Sequence, residues 1–566
     1  MKTRQLRIYL MMSNTIRVVF TVTSLLLMLL SASIKASTVY YVLVDNQPLA
    51  LLLTAKDVSQ YGAVDLAEND RFYDVQVQDD PQSKGRLAYI DGQWQGLLLR
   101  NGAMHLLNNV TTDPQHLTSD SKLNAQKLEQ DLNLGACGVA SIMPTQSASE
   151  INLRSLNPQA TRINYDSFCL ERVGGVCLVA ELTMVFDTAF STEFGASYQS
   201  QAIAIVENVD LIYRNNFNIA FNRLQMAFGS GDIFDNTTDS EALLDDIAEK
   251  RYYDETDPFD PNEQSIMHLV TGRSFDGTTV GIANGPLYDN YPTPYYPVMC
   301  TYAAVGTSQI FPSSSNVATY TSLIVAHEIG HNFGFVHDGA PGEGADSCSS
   351  SSYIMGAQLN LGASRFSTCS RETLRSNING IGSIAGTDIE RCFDFPTDQS
   401  ISADACNPYA AEAEDEFINR YTITNRSRRA QSTNMEVTGS ITSSATYLSA
   451  SLDGTPCTLS NGNTTYTCTI NGASSHTLEL GIQSAVPDVT MSHQVATLTT
   501  DQYEVNPGNN QLSESVTFPR ASDCTPRSEP ELESRGGGGG GGGGSLGWLT
   551  LGLLLLLPIR NFVARD

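Results

Sequence analysis

Apolar and polar positions change their period along this chain, and the changes mark its elements. Phe72 to Val77 and Leu87 to Leu99 alternate, as strands with one covered face do, and Asp91-Gly92 supplies a hairpin turn inside the second stretch. Val176 to Phe186 is nearly all apolar and reads as a buried strand, Tyr198 to Asn216 as a helix, and a second helix begins near Val317. Further strands flank Leu269 and Val280, so this region has the mixed order of an α/β sheet with a helix against it. From about 399 to 520 the chain becomes rich in Thr and Ser. Its runs Tyr447 to Leu452, Tyr466 to Ile470 and Thr477 to Ile482, separated by Asn461-Gly462 and Asn471-Gly472, predict an antiparallel β-sandwich.

Both ends carry a different pattern. Lys2, Arg4, Arg7 and Arg17 precede an apolar run from Val18 to Leu30, and small residues follow, which is the layout of a secretory signal peptide cut near Ala36 or around Ser33. At the other end nine glycines, Gly536 to Gly544, form a linker before an apolar stretch through Leu557 and the basic residues Arg560 and Arg565. These shifts divide the chain into 1–36, 37–165, 166–398, 399–520, 521–545 and 546–566. Thirty-three basic against sixty-one acidic side chains give a net charge of -28, which disfavours nucleic acid as a partner.

The candidate chemistry sits in one twelve-residue stretch, HEIGHNFGFVHD, which holds three of the eight histidines. On a helix, His327 and His331 share a face and can hold one metal, with Glu328 leaning to the same side. Gly334 can adopt the left-handed conformation that ends a helix and turns the chain, returning His337 as a third imidazole. Three neutral imidazoles leave a fourth tetrahedral position for water on Zn2+, and Glu328 is the candidate to take the proton of that water.

With Asp338 directly after the third histidine, the stretch resembles a metzincin of the reprolysin (adamalysin, ADAM-like) branch. The resemblance implies an α/β metzincin-like catalytic domain, a mixed twisted sheet plus zinc helix, at 166–398. It also implies a methionine turn, for which Tyr353-Ile354-Met355-Gly356 stands downstream, followed by Phe366-Ser367-Thr368-Cys369-Ser370. Leu269 to Gly272 and Val280 to Ala283 are similar to the segments that build the family's cleft strand, along which substrate backbone would pair. His268 is assigned to a strand and left out of the site. Ala136-Cys137-Gly138-Val139 resembles the core of the family's cysteine switch, which implies that 37–165 is a β-rich prodomain whose Cys137 thiol occupies the open zinc position. Ser83 to Leu107 is similar to that propeptide as well.

Eleven cysteines in an exported chain imply disulfides, and the odd count leaves one thiol for another use. The resemblance suggests Cys300 with Cys392 and Cys348 with Cys369, and proximity suggests Cys457 with Cys468; spacing alone does not set the connectivity. The family's calcium site would use Glu181, but Phe393-Asp394-Phe395-Pro396 lacks the matching asparagine, so no Ca2+ site is assigned. The C-terminal segment resembles the GlyGly-CTERM tail of exported Gram-negative proteins, which implies a rhomboid-type sorting protease as partner and transient membrane association. A plain tail anchor is the other reading, and both put the catalytic domain outside the inner membrane. The expectation is an exported zinc metalloendopeptidase made as a latent zymogen, secreted or held at the cell surface, acting on protein or peptide substrates. The contrasting expectation is a surface adhesin whose β-sandwich carries its role.

Overall fold

The structure is a computed structural model and describes residues 39–116, 136–140, 165–384 and 393–517, apart from short internal stretches of which 254–265 and 286–297 are the longest. The expected signal segment, Cys300, Cys392 and the glycine-rich tail lie outside the described residues. No helix among the described residues is long and apolar enough to cross a membrane.

Six strands open the chain: β1 (Tyr40–Val44), β2 (Gln47–Ala55), β3 (Arg71–Val77), β4 (Asp80–Ile90), β5 (Gln93–Arg100) and β6 (Ala103–Leu106). They pair antiparallel in chain order, and a bridge between Tyr41 and Thr111 brings the first strand to the segment after the last. Asp91 and Gly92 both have positive φ, 51° and 78°, the hairpin geometry whose twist matches the flanking strands. Alternation gives this sheet two apolar faces. Val42, Leu51, Val75, Leu87 and Leu98 pack together on one, whereas Phe72, Ala88, Ile90, Leu97 and Leu99 join the main core of the following domain.

That domain is built on β8 (Leu178–Phe186), whose nine residues are all buried because strands and helices cover both faces. β9 (Ile219–Phe228) and β10 (Ile266–Thr271) run parallel to it, and β12 (Val305–Gln309) runs parallel to β10. β11 (Thr279–Asn284) lies antiparallel to β12, and β7 (Ala136–Ala140) runs parallel to β11 as a further strand. Helix α1 (Tyr198–Phe217) ends where Asn218 takes the left-handed conformation, φ 55°. α2 (Ser240–Tyr253) belongs to a separate cluster in which Leu243, Leu244 and Ile247 meet Met267 and Leu269 of β10. α3 (Val317–Asn332) is apolar nearly all round and buried along its length, as a helix inside a core must be. The Tyr213 hydroxyl of α1 donates to Ala326 O of α3 at 2.9 Å, tying the two helices together. α4 (Thr368–Ile384) closes the domain, held to the end of α3 by Asn377, which donates to Phe333 O at 2.8 Å.

A single strand, β13 (Phe393–Ala403), spans the boundary drawn at 398/399. Its start pairs with β8 and its remainder with Glu416–Ser427. From there the sheet continues through Ser475–Ser484 to Ala445–Leu452. A five-stranded sheet of Thr458–Ser460, Thr465–Asn471, Asn434–Ile441, Asp488–Thr497 and Gln511–Thr517 shares a core with it, Ile423, Leu478 and Leu480 meeting Val437, Met491 and Val495.

Candidate metal centre

α3 carries His327 and His331 one turn apart and is capped two residues later by Phe333. Gly334 then takes φ 88°, its N–H donates to His331 O at 2.8 Å, and the Phe335 N–H reaches back to Gly330 O at 2.9 Å. These bonds satisfy the last carbonyls of the helix and reverse the chain, which a β-carbon at Gly334 would oppose. The reversal returns His337 to the helix. Its Nε2 lies 3.2 Å from His327 Nε2, which is itself 3.1 Å from His331 Nε2.

The other ring nitrogens decide what this convergence means. His327 Nδ1 is 2.6 Å from Ile354 O and His331 Nδ1 is 2.8 Å from Phe335 O, contacts that only an N–H can make. Nδ1 therefore carries the proton in both rings, and the two Nε2 lone pairs face each other with no hydrogen between them. Burial, then the neighbouring imidazole of His337, lowers His327 to about 3; burial lowers His337 to about 4 and His331 well below its usual value. Neutral imidazoles with converging lone pairs fit a divalent cation.

Segment 354–356 supports this arrangement from below. Ile354 O orients His327, and Met355 O accepts from the Asp338 N–H at 2.8 Å. Met355 is fully buried and packs directly on the helix, since a β-carbon at Gly330 would stand 2.7 Å from its sulfur. Asp338 accepts a 2.6 Å hydrogen bond from the Ser367 hydroxyl, which partly offsets the upward push of burial on its carboxyl. A disulfide between Cys348 and Cys369 ties the loop after the third histidine to the start of α4.

Glu328 is buried beside the triad. Its carboxylate fills the space that a β-carbon on Gly281 of β11 would need, 2.6 Å from Oε1. Gly281 pairs in register with Cys137 of β7, whose thiol lies within 4.8 Å of both a His327 nitrogen and a Glu328 oxygen. The Ala136 N–H donates to Thr278 O at 2.7 Å and the Cys137 N–H to Ala357 O at 3.2 Å, so β7 is hydrogen-bonded to both rims of the cleft. Burial pushes the Cys137 thiol well up, and the Glu328 carboxylate adds to this; burial pushes Glu328 up as well, with the thiol partly offsetting it. A dication at the imidazoles would oppose both shifts by favouring the anions.

The structure thus brings together all the singled-out positions: His327, Glu328, His331, Gly334, His337, Asp338, Met355 and Cys137. Among the described residues Cys137 is the cysteine left without a disulfide, and Cys457 pairs with Cys468 as proximity suggested. Sequence reasoning missed the Cys169–Cys177 disulfide and the supporting roles of Gly281, Gly330, Ile354 and Phe335. Gly330 inside a helix was the one readable signal, since glycine there is costly without a packing reason. His268 stands apart in β10, buried, with Nε2 2.9 Å from Ser308 Oγ.

Residues 179–368 match the family profile described as Reprolysin_5, Metallo-peptidase family M12. Over 169 residues the chain is 30% identical to zinc metalloproteinase-disintegrin-like brevilysin H2a of Gloydius brevicauda, covering 30% of this chain and 35% of that protein. Brevilysin H2b of the same species matches equally, with 30% identity over 169 residues. The chain thus spans about a third of the length of these curated relatives. Among solved structures, metalloproteinase-II from Bacteroides fragilis is similar at 12% identity and a TM-score of 0.30, over 58% of this chain and 87% of that one.

Proposed function

We propose, from the premise that residues 179–368 form a reprolysin-like metallopeptidase domain, that the protein is an exported zinc endopeptidase made in latent form. The observation that carries this reading is the convergence of three imidazole Nε2 atoms beside a buried Glu328 and a strand-lined cleft. Zinc, when bound by His327, His331 and His337, supplies a Lewis acid that polarises the scissile carbonyl and acidifies water.

The chain's own residues do the rest. A substrate strand replaces β7 against β11, where backbone N–H and C=O groups align it by β-pairing. Glu328 takes a proton from the attacking water and passes it to the leaving amine. Asp338 and Met355 keep the third imidazole and the helix in place. In the latent chain, β7 fills the cleft and Cys137 sits where that water is needed, so 37–165 acts as prodomain. Export rests on the charged and apolar pattern of residues 1–36, and the tail from Gly536 is the proposed sorting device for a rhomboid-type protease.

The test is cleavage of a peptide library by the processed, zinc-loaded chain. Chelator-sensitive activity abolished by Glu328→Gln is the expected result. A processed wild-type chain that binds zinc but cleaves nothing would favour the binding-protein reading, with the C-terminal sheets carrying the role.

A further inference from the structure

Helix α1 presents a polar face that does not meet water. The Ser200 hydroxyl donates to Asp70, Gln95 Nε2 donates to Gln201 at 2.9 Å, and Glu207 accepts from the Tyr61 hydroxyl. Arg86 Nε stands 2.7 Å and Lys56 Nζ 3.2 Å from Glu207 Oε2, and Arg86 Nη2 lies 3.7 Å from Asp210 Oδ2. Each of these pairs joins the N-terminal sheet and its loops to α1. The side chains of Glu207 and Asp210 are only 4% and 7% exposed, and the cavity between the partners is about 10 Å³, room for at most about one water. Asp74, 2.5 Å from Arg86 Nη1, holds the guanidinium in place from its own side.

The contact has the make-up of a separable interface. Phe72, Ile90 and Leu97 contribute apolar area, but the centre over α1 is ion-paired and hydrogen-bonded, unlike the core of one domain. A third part of the chain meets the same cluster: Arg214 Nε lies 2.5 Å from Asp210 Oδ2, and its Nη2 donates to the Tyr503 hydroxyl at 2.6 Å. Tyr503 belongs to a short strand, Gln502–Glu504, paired with β13.

We propose that latency, the reading on which this inference rests, has a second lock away from the metal: Arg86 and Lys56 clamp the N-terminal sheet onto Glu207 and Asp210, and Tyr503 steadies the acceptor side through Arg214. Cutting the chain after Cys137 then does not free the cleft. The severed prodomain stays bound as an inhibitor until the clamp opens, and added salt weakens it only modestly because the pairs are buried. Truncating one partner of a buried interfacial charge pair weakens binding by about 30-fold or more, because the other charge is left buried and poorly paired.

The experiment uses the full chain with a specific protease site engineered between Ala140 and Tyr165, cut to completion and followed by gel filtration at low and high salt. Co-elution of the two pieces at low salt is expected for the wild type. Arg86→Gln and, independently, Glu207→Gln should each raise the dissociation constant about 30-fold or more, Arg86→Lys should recover part of the loss, and Tyr503→Phe should have a smaller effect of the same sign. Melting of the uncut chains shows which variants fold. Separation of the wild-type pieces at low salt, or wild-type affinity in folded Arg86→Gln and Glu207→Gln, overturns the clamp. Dissociation is read without activity, so a clamp that behaves as expected beside a released domain that cleaves no peptide would sink the peptidase reading alone.

Discussion

The carboxylate of Glu328 occupies the place of the β-carbon that Gly281 lacks: a methyl group there would stand 2.6 Å from Oε1 and 2.8 Å from Ile324 Cγ2. The cleft strand and the helix bearing the candidate base therefore approach each other as closely as they do because one position is glycine. Gly281→Ala must displace Glu328 or lift β11. In the processed enzyme, kcat is expected to fall about 10²-fold, the scale of a misplacement near 1 Å, while zinc content by atomic absorption stays near one per chain. An unchanged kcat would show that Glu328 works from another position.

Ser367 donates to Asp338 Oδ1 at 2.6 Å, and Asp338 in turn bonds Met355 O through its backbone N–H. Ser367→Ala removes that donor from a buried carboxylate next to the third imidazole. Zinc affinity, measured by competition with a chelating dye, is expected to drop about 10- to 100-fold, as for loss of other groups that orient a ligand. Retained affinity would make Ser367 a packing residue only.

In the proposed latent state Cys137 and β7 close the cleft by two means, a thiol beside His327 and Glu328 and a backbone bonded to both rims. Cys137→Ala in the uncut chain is expected to raise basal peptidase activity to a level still well below that of the processed enzyme, because the strand remains paired. Full activity in the uncut variant would mean that the thiol alone maintains latency.

The clamp on α1 should depend on pH in one direction. Burial alone would raise the Glu207 carboxyl, but Lys56, Arg86 and the Tyr61 hydroxyl outweigh it and hold the group at about 2, against an ordinary value of 4.5. A carboxylate with a depressed value contributes stability above its free value and loses it as pH falls toward the depressed one. Prodomain release from the cut chain should therefore increase as pH drops from about 4.5 toward 2, Asp74, Asp210 and the Arg214 guanidinium being the other charged groups that face the cluster. Glu207→Gln should flatten that part of the profile; an identical profile in the variant would assign the acid effect to other carboxylates.

Local features of this protein were legible in the chain itself. The spacing of His327, Glu328 and His331 is a property of one helix, and the turn at Gly334 needs only a residue free to take positive φ, so neither depends on distant partners. The helices beginning at Tyr198 and Val317 and the strand ending at Phe186 follow from short-range periodicity in the same way. Tertiary structure alone decided that Ile354 sets the tautomer of His327, that Gly281 makes room for Glu328, that β13 serves two sheets, and that Arg86 rather than water faces Glu207. Carbonyls, missing β-carbons and ion pairs of this kind join positions tens to more than a hundred residues apart. A sequence shows which groups are available for such contacts, but packing selects the partner, because burial makes each polar group bond to whatever the fold places beside it.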